Sequence, residues 1–289
     1  MYKHEIRFHI QEEIMKRLPV KSLLQFRTVS KTWKSLIDSS DFITAHIFHR
    51  HTQQHHLLAS YANPMDETQY VSFIDDDTLP KQRSIHTLPP FLKQLIHPEV
   101  VGSSHGLFCL YDSNAIFTTK MVVLWNPSIR KLVVVDMPNK EFIGFGLWSF
   151  EKFEVIQLPD SLARPDLGNL YTSKLRGSLA ILKYKDNIIS VWMMDHGVEI
   201  SFTKLFTIET PPFVIGFRNS GVPIMQVTND DDGQSKLVVY EPKSKHKHVI
   251  ETSDSHYAFY VNTYMETLLL QGRYAKVGRG DISKHVVSG

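Results

Sequence analysis

The chain has 289 residues, 42% of them apolar and 21% charged, which provides for packed cores and excludes wholesale disorder. Its 32 Lys and Arg stand against 30 Asp and Glu, so the balance makes no electrostatic case for nucleic acid or an anionic membrane. Cys109 is the single cysteine, which excludes a disulfide framework or a thiolate metal cluster. The opening MYKHEIRFHI is too polar for a signal peptide, and no run approaches the ~18 apolar residues of a membrane span.

In chain order, Ile10, Ile14 and Leu18 form a helical stripe. Glu12 and Glu13 fall early in it, where the helix dipole favours anions. Pro19 lacks a donor and stops that helix. A short second helix fits Ser22 to Thr28, with Leu23, Leu24 and Phe26 apolar. Val29, Trp33, Leu36 and Ile37 then recur at i, i+4, i+7 and i+8, one face of a third helix, with Ser30 placed as its N-cap. Three helices in so short a span cannot bury all these side chains among themselves. Two readings stay open: the surplus face packs on the rest of this chain, or it docks on another protein.

Leu18-Pro19-Val20-Lys21-Ser22-Leu23-Leu24, then Phe26-Arg27, Val29-Ser30-Lys31, Trp33 and Ser35-Leu36-Ile37 resemble the F-box of the large plant F-box family. The resemblance implies docking on the SKP-type adaptor of cullin–RING (SCF) ubiquitin ligases, and through it on the cullin and RING subunits. The adaptor-binding or motif-core residues it implies are Leu18, Pro19, Val20, Leu23, Leu24, Arg27, Val29, Ser30, Trp33 and Leu36. One departure concerns position 7, where the family favours a proline and this chain has Arg7.

Asp41 can cap a further short helix through His46 and Arg50, and a histidine-rich passage leads to a strand ending at Tyr61. His51 and His55 have i, i+4 spacing, but a zinc site would need more ligands, so a solvated helix end or linker is expected. Asp75-Asp76-Asp77 reads as a solvated turn, because it lacks the glycine and distal glutamate of a calcium loop.

Beyond about residue 97 the helical period gives way to short β-branched and aromatic runs bounded by Gly, Pro, Asn and Asp, an all-β signature. Examples are Gly106 to Tyr111, Met121 to Trp125, Leu132 to Val135, Phe153 to Ile156, Ser178 to Tyr184, Ile188 to Met193, Val214 to Phe217, Leu237 to Tyr240 and Thr267 to Leu270. A repeat runs through them. Leu124-Trp125-Asn126-Pro127 opens a strand–turn–strand unit closing at Leu132–Val135, and Val239-Tyr240-Glu241-Pro242 opens another closing at Val249-Ile250. Repeats of ~40–50 strand-rich residues mark propeller blades. Ile156 to Ile208 is 52 residues and Ile208 to Ile250 is 42, each one blade, whereas Val135 to Ile156 is 21, half a blade.

Gly102-Ser103-Ser104-His105-Gly106-Leu107, Trp125-Asn126-Pro127-Ser128, Gly144-Phe145-Gly146, Phe153 to Pro159 and Leu175 to Met194 resemble the plant F-box-associated domain, a kelch-like substrate-binding region. Compared with that family, a stretch of strands is missing between Gly146 and Glu151. The expected fold is therefore α+β multidomain: a three-helix F-box (1–45), then a helix end, strand and polar linker (46–97), an incomplete kelch-like β-propeller (98–271) and a disordered polar tail (272–289).

No catalytic constellation survives. Ser103, Ser104 and His105 are neighbours in a turn, whereas triad members come from distant segments. Cys109 lies within an apolar strand and reads as buried and inert. The resemblance implies a non-enzymatic substrate receptor with an unknown protein substrate, without cofactor, metal, nucleic acid or membrane, located in cytoplasm and/or nucleus. The alternatives are an adaptor-binding, substrate-incompetent short form and a propeller ligand-binding module without ligase role.

Overall fold

The computed structural model describes residues 6–51, 56–62, 68–76, 83–95, 98–112, 121–136, 146–148, 153–155, 158–163, 170–196, 200–209, 213–228, 235–241, 244, 246–253, 260–271 and 284–288. Helices come first: α1 (Phe8–Met15), α2 (Val20–Phe26), α3 (Lys31–Ile37) and α4 (Ser40–His51). Strands then follow almost without interruption: β1 (His56–Ala62), β2 (Thr68–Ile74), β3 (Arg83–His86), β4 (Pro98–Ser104), β5 (Leu107–Asp112), β6 (Met121–Asn126), β7 (Lys131–Asp136), β8 (Gly146–Trp148) and β9 (Phe153–Val155). A one-turn helix, α5 (Asp160–Ala163), precedes β10 (Leu170–Leu175), β11 (Ser178–Lys185), β12 (Ile188–His196), β13 (Ile200–Glu209), β14 (Phe213–Phe217), β15 (Pro223–Thr228), β16 (Ser235–Glu241), β17 (His246–Ser253), β18 (Tyr260–Tyr264) and β19 (Lys284–Ser288). Among the described residues no helix is long and apolar enough to cross a membrane.

The chain forms two compact units. The first combines residues 1–54, 87–141 and 265–289, that is, the four helices and a sheet in the order β19-β7-β6-β5-β4. Both faces of this sheet are buried: Phe108, Leu110, Val123 and Trp125 lie on one, Cys109 and Leu124 on the other. The β4–β5 corner is a two-residue turn at His105 (φ 48°) and Gly106 (φ 80°), as a tight hairpin requires. Ser104 Oγ and His105 Nδ1 lie 2.9 Å apart in this exposed corner. Cys109 is buried in β5, and burial pushes its thiol up to about 12. The tail is not wholly without structure: β19 adds to the edge of β7, whose outward N–H and C=O groups offer a ready ladder.

The second unit, residues 55–86 and 142–264, contains three four-stranded antiparallel sheets. The sheet β14-β15-β16-β17 lies between the other two, and the two-residue period explains how. Met225, Val238 and Tyr240 pack on Ala180, Leu182 and Val191 of the sheet β10-β11-β12-β13. Their neighbours Ile224, Leu237 and Val239 point the other way, onto Leu57, Ala59, Val71 and Phe73 of the sheet β18-β1-β2-β3. That last sheet takes its fourth strand from far along the chain, β18 pairing with β1 from His56↔Tyr264 to Ser60↔Tyr260.

The two sequence repeats are the hairpins β6–β7 and β16–β17. Between Val135 and Ile156, β8 and β9 form a two-stranded sheet with Gly146↔Val155 and Trp148↔Phe153 in register. Ile156, Gly144 and Phe145 lie outside the described residues.

Three expectations are corrected. Thr267–Leu270 is not a strand but a buried irregular segment. Asp75 is not a solvated turn residue: its side chain is 2% exposed and its carboxylate receives Arg218 Nε at 2.6 Å, with Asn219 N and Nδ2 at 2.8 and 2.9 Å. Glu12 and Glu13 fall past the first turn of α1 and pair instead with Lys16 at 2.9 and 2.8 Å. The first two outcomes depend on partners over a hundred residues away, which local spacing does not encode.

Candidate functional site

One cap and three contacts between elements hold the helices together. Ser30 Oγ accepts Trp33 N at 3.1 Å, the expected N-cap of α3. Arg27 and Asp38 form a two-pronged ion pair, Nε to Oδ1 at 2.6 Å and Nη2 to Oδ2 at 2.8 Å, which locks the end of α2 to the end of α3. Trp33 Nε1 donates to Gln11 Oε1 at 3.0 Å and its ring lies against Phe26, centroids 5.3 Å apart, so α1, α2 and α3 meet at one indole. Buried His46 of α4 sets its Nε2 3.0 Å from Leu18 O, holding the corner before Pro19.

The residues singled out from the sequence divide by direction. Val20 and Leu23 point inward, Leu23 with 0% exposure. Leu18, Leu24, Arg27, Trp33 and Leu36 are half-buried, while Pro19, Val29 and Ser30 are exposed, Val29 by 65%. Ile6, Phe8, Ile10 and Ile14 on and before α1 are also exposed, as is Phe48 on α4. The Ile10/Ile14 stripe is thus left to water, with only Met15 of α1 fully buried. Its signal was the same i, i+4 periodicity that usually announces a core face; period alone does not say which body covers it.

α1 begins without a side-chain cap: Arg7 takes the N-cap place at φ −56°, and its carbonyl accepts Ile10 N and Gln11 N. Among the described residues no group of three or more His, Cys, Asp or Glu is gathered to hold a metal. The side chains of His51 and His55 lie outside the described residues.

The small helical module thus carries an apolar outer face and is followed in the chain by antiparallel sheets. The comparisons make this specific. The F-box domain matches residues 8–44. The F-box protein At1g15015 of Arabidopsis thaliana is 31% identical over 112 residues, 37% of this chain and 70% of the relative. Protein SUPPRESSOR OF NIM1 1 of Arabidopsis thaliana is 29% identical over 144 residues, 48% of this chain and 36% of the relative. The F-box/kelch-repeat protein At3g23880 of the same plant is 28% identical over 145 residues, 44% of this chain and 35% of the relative. The chain belongs to the F-box protein family. It spans well under half the length of most of the curated relatives it matches. No solved structure is similar to it.

Proposed function

We propose that the chain is the substrate-receptor subunit of an SCF-type cullin–RING ubiquitin ligase, with no catalytic role of its own. The helical module docks on the SKP-type adaptor, and the sheets, as blades of a kelch-like F-box-associated propeller, hold a protein substrate. Tethering raises the substrate's effective concentration near the transferring subunits. Such a receptor works in the cytoplasm, the nucleus or both. The observation that carries the reading is the exposed apolar surface within the matched segment, Phe8, Ile10, Ile14 and Val29. Pro19, Ser30, Leu18, Leu24, Trp33 and Leu36 would border it, Arg27 would hold its frame, and Val20 and Leu23 would support it from beneath.

The test is capture of the full chain by purified adaptor, comparing wild type with Ile10→Asp/Ile14→Asp. These side chains are exposed, so the variant keeps its fold and loses capture; equal capture sinks the reading. A substitution at Leu23 would not serve, because it would disrupt the module itself.

A second reading is favoured by the two-stranded sheet β8-β9, which stands where four strands would make a blade. In that case the chain binds the adaptor without holding substrate and competes with longer relatives. Proximity labelling would separate the two, since a working receptor enriches proteins beyond the ligase subunits.

A further inference from the structure

Within the first unit, one irregular segment touches both the helices and the sheet. Met265–Gln271 follows β18 and forms neither helix nor strand, yet Thr267, Leu268, Leu269, Leu270 and Gln271 are all buried. Buried backbone of this kind needs hydrogen-bond partners from elsewhere. Asn126, itself fully buried at the end of β6, supplies them: its Nδ2 donates to Thr267 O at 3.0 Å and to Leu269 O at 2.7 Å. Two residues on, Ser128 Oγ accepts Thr267 N at 3.1 Å, and Ser128 N donates in turn to Asn126 Oδ1 at 2.9 Å. Gly106 completes the grip, since a Cβ there would come within 2.1 Å of Met265 O. The β4–β5 and β6–β7 corners therefore hold this segment in one place.

From that place Glu266 reaches the helices. Its Oε2 accepts Val20 N at 3.3 Å, across 246 positions of sequence. Val20 opens α2, and its N-cap residue, Pro19, has no side-chain acceptor to offer. Lys131 of β7 has its pKa lowered, first by burial and then by repulsion from Arg27, with attraction to Asp38 opposing.

The geometry points to Met265–Gln271 as a clasp that holds the adaptor-docking helices in one orientation on the β4–β7 sheet, with Glu266 as its positioning residue. The idea rests on the docking reading for its purpose, though not for its test. A receptor whose docking module is fixed in this way presents everything built on that sheet at one angle to the adaptor. One attached only through a flexible linker would sample many angles.

The experiment places spin labels in the full chain at Thr32→Cys on α3 and His105→Cys at the β4–β5 corner, with native Cys109 shielded by burial. The wild-type background gives one narrow distance distribution. Glu266→Ala broadens it and speeds amide exchange in the first turn of α2 about fivefold, the effect of losing a cap of ~1 kcal/mol. Glu266→Gln, which keeps an acceptor oxygen, restores both. A broad distribution in wild type, an unchanged one in Glu266→Ala, or no rescue by Gln overturns the proposal. Adaptor capture is measured alongside: its loss in wild type with a narrow distribution sinks the docking reading and leaves the clasp standing.

Discussion

The helices of the first unit and the sheets of the second treat apolar residues in opposite ways. On α1, Phe8, Ile10 and Ile14 stand in water and only Met15 is fully buried. In the sheet β14-β15-β16-β17, Ile224, Met225, Leu237, Val238, Val239 and Tyr240 are buried on both faces, because a further sheet covers each side. The sheets are finished by their own neighbours, whereas no described residue covers the Phe8/Ile10/Ile14 face of α1. An apolar surface kept in water persists where something else is meant to cover it.

The sharpest way to break this comparison is to damage each region from inside. Leu23→Asp places a carboxylate where exposure is 0% and costs the helical module ~4 kcal/mol or more, read as loss of its cooperative unfolding transition. Asp75→Ala in the second unit strands Arg218 and costs about 3 kcal/mol by urea titration; a cost below 1 kcal/mol would mean that the pair is solvated after all. In the first unit, Asn126→Ala leaves the Thr267 and Leu269 carbonyls without their buried donor, a loss of about 2 kcal/mol by the same measurement. Ile14→Ala is the contrasting case, with stability within ~0.5 kcal/mol of wild type while adaptor capture weakens. A larger stability loss would show that α1 is covered from within.

The buried thiol gives a pH test. Cys109 has its pKa raised from 9.0 to about 12, so the folded state holds the proton more tightly than the unfolded chain does. The stability from that preference is fully present below pH 9 and lost as pH climbs from 9 towards 12. Cys109→Ala therefore flattens the alkaline limb of the stability profile, and the wild-type thiol resists alkylation at pH 8 until the sheet unfolds. The smallest effect is at Arg7, whose φ of −56° suits proline; Arg7→Pro should raise thermal stability by ~0.5 kcal/mol.

What was legible in the sequence follows the range of the interaction involved. The Ser30 cap spans three residues and is legible in the sequence, as are the hairpins that begin at Leu124 and Val239. The inward turn of Val20 and Leu23, the exposure of Ile10 and Ile14, and the burial of Asp75 depend on which distant surface arrives, and no local period records that. Thr267–Leu270 misled for a related reason. Its apolar run matched a strand, but Asn126 and Ser128 satisfy its backbone where a ladder otherwise would.

The late position of Glu266 bears on how the protein is made. During synthesis the helices leave the ribosome long before residues 260–271 exist, so for most of that time α2 lacks its cap and β1 lacks the partner strand β18. Contacts closing over such separations form slowly and last. A nascent or prematurely terminated chain thus displays α1–α4 without the Glu266 contact to α2 and without the fourth strand of the sheet that begins at His56. The settled pose of the helices therefore reports that the chain has been synthesised past Glu266.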